Sequence, residues 1–242
     1  MKAQNRGLMV NLQEFIAAVL AGRDQIRVLE AGCGSAAHLD LGDRMVITGL
    51  DISRRQLERH PRLAVRIEGD LQTYPLPREA FDLVVCWDVL EHLPRPRAAV
   101  ENLAGAVAPG GYLVLKVPNA LAPKSLLTRL TPYRFHVWFY RRVLGHAHAG
   151  HDDIGPFPTC MKMGMRPAAL RRQGRRHGLV NVHERFYESP AQVRLRRQPA
   201  VAVPWTMLRG LLRLVSAGRY DVQDTEYALV MHRTPAAQPS RL

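Results

Sequence analysis

Acidic residues are scarce in this chain. Its 242 residues carry 21 Asp and Glu against 34 Lys and Arg, a formal net charge of +13. That balance excludes an acidic solvating tail and favours anionic partners: nucleic acid, an anionic substrate or an anionic bilayer surface. The excess is late, with 15 Lys and Arg against 5 Asp and Glu from Cys160 onward. Cysteine is nearly absent. Cys33, Cys86 and Cys160 show no Cys-x-x-Cys spacing and make no disulfide framework, so a reducing, cytoplasmic location is expected. No apolar run reaches spanning length, no basic-then-apolar leader opens the sequence and nothing repeats. Aromatics interleave with basic residues only near 133–140, and no recognisable RNA-binding module appears, which makes nucleic acid an unlikely partner.

What is present is an alternation of strand and helix signals. Leu8, Leu12, Phe15, Ile16, Val19 and Leu20 have helical spacing. Strands are expected at Ile26–Leu29, Met45–Leu50, Leu63–Ile67, Phe81–Trp87 and Tyr112–Val117. Between them lie a helical stub around His38–Leu41, a polar helix over Arg54–Arg59 stopped by Pro61, and a helix over Ala98–Val107 closed by Pro109-Gly-Gly111. This order predicts parallel βαβ units with right-handed crossovers. Residues 120–165 break the pattern and read as a lid or substrate insert with a short helix near Phe135–Val143. A basic helix (Pro167–His177), a strand (Val180–Tyr187), a second insert over 190–222 and a last strand (Tyr227–His232) complete a single domain over 1–242. Apolar residues around Trp205–Val215 are expected to bury against the sheet, form a dimer contact or, through 201–217, rest on a membrane surface. The sequence leaves the oligomeric state open.

The stretch Val28-Leu-Glu-Ala-Gly-Cys-Gly-Ser-Ala36 organises the rest. A buried strand ends in an acid, Glu30, and the glycines Gly32 and Gly34 then allow a sharp turn and close approach of a ligand. Open α/β sheets bind nucleotide-like ligands at such a turn. The next strands also end in acids: Asp51, Asp70 and Asp88. A carboxylate after the second strand suits two ribose hydroxyls, and one after the third suits an adenine amino group.

Together, Val28–Ala36, Gly49-Leu-Asp51, Glu68-Gly-Asp70, Asp88-Val-Leu-Glu-His-Leu93 and Pro109-Gly-Gly-Tyr-Leu-Val-Leu115 resemble class I S-adenosylmethionine (SAM) dependent methyltransferases over about residues 26–119. The resemblance implies a Rossmann-like, seven-stranded, mostly parallel sheet with helices on both faces, its last strand antiparallel. It implies SAM as cofactor, with Glu30 near the methionine amino group and Gly32, Cys33 and Gly34 against the methionine part. It also implies Asp51 and Ile52 at the ribose, Asp70 and Leu71 at the adenine, and Asp88 facing cofactor and substrate. The usual third glycine is Ala36, small enough for close approach. A nicotinamide-dependent dehydrogenase is the alternative, with Ala37 in its third glycine place, but Asp70 and the Asp-Val-Leu-Glu-His block favour SAM.

Methyl transfer to a hydroxyl needs an oriented nucleophile and a proton acceptor. His136, in the densest aromatic and basic cluster (Pro132–Arg142), is the first candidate base; Asp88 and His92 are the others. Asp88, Glu91, His92 and His136 also resemble the Glu-x-x-Glu-His plus distant His set of metal-dependent O-methyltransferases, with Asp in the first place, so a divalent metal is a weaker expectation. The loop Gly145-His-Ala-His-Ala-Gly-His-Asp-Asp153 is a further possible metal site, more often a solvated loop. The expected activity is O-methylation of a small polar metabolite, sugar or natural product. RNA methylation and non-catalytic SAM binding are the alternatives, and the acceptor atom stays open among O, N and C.

Overall fold

A computed structural model describes residues 12–120, 122, 125, 130–142, 157–160 and 162–235. Among these, seven strands form one sheet: β1 (Ile26–Ala31), β2 (Met45–Asp51), β3 (Leu63–Glu68), β4 (Phe81–Trp87), β5 (Val107–Pro118), β6 (Leu179–Tyr187) and β7 (Glu226–Arg233). Their order is β3-β2-β1-β4-β5-β7-β6. The first four pairings are parallel, and β7 runs antiparallel to both β5 and β6. The strand order reverses between β1 and β4, where an open α/β sheet leaves a crevice beyond its carboxyl ends. The helices are α1 (12–19), α2 (Arg54–Arg59), α3 (Pro96–Ala106), α4 (Tyr133–Arg142), α5 (Pro167–Arg176), α6 (Pro190–Arg196) and α7 (Pro199–Val215).

The central strands read as unbroken apolar runs because both faces are covered. Successive side chains alternate between faces. Val28, Leu83, Val114 and Val230 pack with Leu12 and Ile16 of α1 and with Leu20 just beyond it. Leu29, Val84, Leu113 and Leu115 pack with Val100 and Leu103 of α3 and Leu170 of α5. Each fully buried Val or Leu contributes roughly 1.5–3 kcal/mol, so two such layers hold the strand ends in fixed register. At the opposite edge of β4, buried Asp82 accepts from Arg27 N (2.8 Å), Arg27 Nε (3.1 Å) and Arg27 Nη2 (3.0 Å), and also pairs with Arg23. Burial alone would raise that carboxyl; the Arg27 hydrogen bonds outweigh it and hold it below the usual range.

Several local expectations change. Residues His38–Leu41 are not helical; a single 3₁₀ turn, Gly42–Arg44, precedes β2. Leu39 and Leu41 turn inward, and the His38 amide is drawn to Glu30, which extends this short link instead of coiling it. Strand β5 begins at Val107 and runs through Pro109–Gly111, absorbing the residues expected to close the preceding helix as a register shift opposite β4. The second insert holds two helices, α6 and α7, where one was expected. Burial of the α7 face against the sheet does not occur: Val203, Met207, Leu211, Leu214 and Val215 are all more than half exposed. No described helix is long and apolar enough to cross a membrane. The 145–153 loop lies outside the described residues.

Candidate active site

The four acids of the parallel strands lie along one edge of the sheet. Beyond β1 the chain turns at Gly32 (φ +66°) and Gly34 (φ +56°), both left-handed. The two glycines do different work. A Cβ on Gly32 would stand 2.3 Å from Val89 Cγ2, so Gly32 makes room for the loop leaving β4. A Cβ on Gly34 would meet Gln56 Oε1 at 3.0 Å, the tip of a flexible side chain that can give way, so Gly34 is held to glycine by its φ rather than by a packed neighbour. Cys33 is buried, and burial pushes its thiol up to about 12; only its backbone is available to a cofactor.

Asp51 fastens this turn to β2. Its Oδ2 accepts from Gly34 N (2.9 Å) and its Oδ1 from Ser53 N (2.8 Å). Each oxygen keeps a further lone pair able to accept. Ile52 beside it is 76% exposed, an apolar side chain with no core to enter. Asp70 forms an Asx turn, accepting from Gln72 N (2.9 Å), and Gln72 Oε1 in turn accepts from Arg95 N (2.8 Å). Leu71 is buried in the core below.

Glu30 is turned inward and buried. Its Oε1 accepts from His38 N (3.1 Å), while Oε2 faces His60 Nε2 at 3.3 Å without the alignment of a hydrogen bond. Burial pushes this carboxyl up to about 7. His60, also buried, accepts from Arg62 N at Nδ1 (3.2 Å), which puts its neutral-form proton on Nε2, toward Glu30. Burial pushes His38 down to about 4, and its neutral ring stacks on Trp87 at 5.7 Å.

At the ends of β4 and β5 stands a group that motif reasoning missed. Lys116, buried in β5, pairs with Asp88 and with Glu226 of β7 (2.9 Å). Burial alone would lower this ammonium; the facing carboxylates outweigh it and hold it above the usual lysine range. Asp88 takes a left-handed conformation, φ +53°, with its amide donating to Lys116 O at 3.0 Å. Such strain in a non-glycine residue costs about 1–3 kcal/mol and collects at functional sites. Glu91 is buried with Oε2 unpartnered; burial first, then the Asp88 charge, push its carboxyl up to about 8. The one sequence signal for Lys116 was a lone lysine in the apolar run Tyr112–Val117.

His92 closes the 3₁₀ turn Leu90–His92. Its Nδ1 lies 2.8 Å from Pro158 O, and a carbonyl only accepts, so Nδ1 carries the proton and Nε2 keeps its lone pair. Cys160 N donates to Glu91 O at 2.7 Å, tying the 157–160 segment to the same turn. His136 is elsewhere engaged: its Nε2 meets Thr131 Oγ1 at 2.9 Å, and its ring meets Phe135. No hydrogen bond or ring contact among the described residues joins it to the strand ends. The metal-ligand set does not assemble either. Among the described residues no three His, Cys, Asp or Glu side chains are grouped to hold an ion, and the cation beside Asp88 is already the Lys116 ammonium, which would repel a divalent metal.

An open sheet of this strand order, with an acid at each of four successive strand ends around a left-handed glycine turn, defines a Rossmann-like nucleotide-cofactor site. The chain belongs to the methyltransferase-domain family, whose model matches residues 2–184. It is 28% identical over 146 residues to the ubiquinone biosynthesis O-methyltransferase of Alkalilimnicola ehrlichii, covering 52% of this chain and 58% of that protein. It is 28% identical over 197 residues to the 27-O-demethylrifamycin SV methyltransferase of Amycolatopsis mediterranei, covering 69% and 71%. The chain thus spans little more than half of the first of these relatives. A SAM-dependent methyltransferase structure from Archaeoglobus fulgidus shares the fold, with TM-score 0.55, 16% identity and 96% coverage of both chains.

Proposed function

We propose that this enzyme methylates a hydroxyl of a small-molecule acceptor held over Asp88 and His92. The observation that carries this reading is the His92 tautomer, which supports an Nε2 lone pair 3.9 Å from the buried Glu91 carboxyl, a carboxyl that itself feels the charges of Asp88 and Lys116. The names of both relatives as methyltransferases of oxygen support the acceptor atom. Bound SAM supplies an electrophilic methyl on a sulfonium. For its hold we assign Gly34 and the Cys33 backbone to the methionine part, Asp51 and Ile52 to the ribose, and the Asp70–Leu71 turn to the adenine. Glu30, whose Oε2 has no aligned partner, is assigned to the methionine ammonium. His92 Nε2 accepts the acceptor's hydroxyl proton, and Pro158 O steadies the imidazolium through Nδ1–H. Asp88, held by Lys116, orients the hydroxyl. We give the base role to His92 rather than His136 because His136 Nε2 is spent on Thr131.

The test is a panel of phenols, sugars and polyketide hydroxyls with labelled SAM, run on wild type and His92→Ala. Transfer to a hydroxyl should fall about 10²–10⁴-fold in the variant, with SAM affinity retained and no response to a metal chelator. Transfer that survives His92→Ala across pH removes the base assignment, and strong inhibition by chelation removes the ammonium's exclusion of a metal.

A further inference from the structure

A cavity of about 750 Å3 opens between the first turns of α3 and α5 and the segment leading into α5. Arg95, Arg97, Lys162, Arg166 and Arg172 line it, and among the described residues no acidic side chain does. None of these five forms an ion pair among the described residues, whereas Arg171 on the same helix is paired to Glu184 (2.8 Å) and Arg209 to Asp221 (2.8 Å). Five like charges around one hollow repel each other, and a multivalent anion relieves that repulsion. Both helices begin with proline and neither has a side-chain cap, so the positive ends of two helix dipoles add to the field. The rest of the wall is apolar: Pro94, Pro96, Ala168 and Ala169.

We propose that this cavity binds the phosphate group of a phosphate ester, with the cations taking the phosphate and the apolar wall taking the body it is esterified to. Its size exceeds a bare phosphate and falls in the range of small-molecule sites, roughly 300–1,000 Å3. SAM is the wrong occupant, since its sulfonium and ammonium outnumber its single carboxylate. The cavity lies close to the acceptor side: Arg95 is three residues beyond His92, and Lys162 two beyond Cys160, which is bonded to Glu91 O. This site accounts for part of the late basic excess that methyl transfer leaves unused, and it does not depend on which atom accepts the methyl.

The experiment is calorimetry of the full chain with sodium pyrophosphate at low salt. Wild type, Arg97→Gln/Arg166→Gln and Arg175→Gln/Arg176→Gln are compared; the last pair removes the same charge from the far end of α5. Binding should be saturable in wild type and in the far-end variant, and about tenfold or more weaker in the cavity variant, with SAM binding equal in all three. Should the cavity variant lose SAM binding through misfolding, Arg95→Gln/Lys162→Gln, both at exposed positions, replaces it. Sedimentation with phosphatidylglycerol and phosphatidylcholine vesicles separates the sources. Pyrophosphate-competed binding to the first alone marks a lipid headgroup, and no vesicle binding marks a soluble ester; both keep the site. No saturable pyrophosphate binding, or equal loss in the far-end variant, overturns it.

Discussion

Replacing Glu30 with Gln separates a structural cost from a binding role. Moving the carboxyl from 4.5 to about 7 by burial corresponds to about 3 kcal/mol spent on keeping its charge out of water. Between these two values the folded protein holds a proton that the unfolded chain has released. Stability therefore declines as pH rises through that window and levels off above it. Gln carries no charge to bury. In urea unfolding, Glu30→Gln should match wild type near pH 4.5 and exceed it by up to about 3 kcal/mol at about pH 8.5. SAM affinity should move in the opposite direction. Only the ionised carboxylate attracts the methionine ammonium, so wild-type affinity should rise between about pH 6 and about pH 7.5, before that ammonium itself titrates. The variant's affinity should stay flat and lie about tenfold or more below wild type at the upper end. Calorimetry with SAM reads this directly. If Glu30→Gln bound SAM as tightly as wild type at the upper pH, Glu30 would leave the cofactor site. A stability difference independent of pH would refute the buried-charge reasoning.

Other expectations follow from the same geometry. Asp51→Ala removes the acceptor of the Gly34 and Ser53 amides together with the assigned ribose contacts, so SAM affinity should fall about a hundredfold or more. His136→Ala should change it by less than about twofold on the same calorimeter; equal losses would contradict both placements. Lys116→Met takes the Lys116 ammonium away from buried Glu226 and its neighbour Asp88 and should destabilise by about 3–5 kcal/mol. Lys116→Met/Glu226→Gln should recover part of that loss in denaturant titration, and a double variant no more stable than the single would rule out the ion-pair account. Gly32→Ala adds a Cβ 2.3 Å from Val89 Cγ2 at a left-handed φ, for an expected loss of about 2–4 kcal/mol. Adding Val89→Ala should relieve the clash but not the backbone strain, which thermal unfolding would show as partial recovery.

The glycine turn, the order of elements and the row of acids were legible because each is local. A strand buried on both faces must be written as an apolar run, and a chain that turns left-handed at φ +66° and +56° favours glycine there. Of the three fates expected for the α7 apolar residues only burial against the sheet is excluded, and the sequence left all three open because helical spacing shows that residues share a side, not what lies against that side. What the sequence could not show is that Val89, more than fifty residues later, fills the place of Gly32's missing Cβ.

The sequence by itself determined a SAM-type α/β sheet and which four acids end its parallel strands, since these follow from period, composition and turn chemistry. Only the tertiary structure decided how the acids are used. It turned Glu30 inward and left Asp51 to fasten the glycine turn. It brought Lys116 and Glu226 to Asp88, because β7 runs antiparallel and its first residue therefore arrives at the edge where the parallel strands end. It also brought Pro158 O to His92 Nδ1 at 2.8 Å and Thr131 to His136 Nε2, contacts between segments that the sequence does not show.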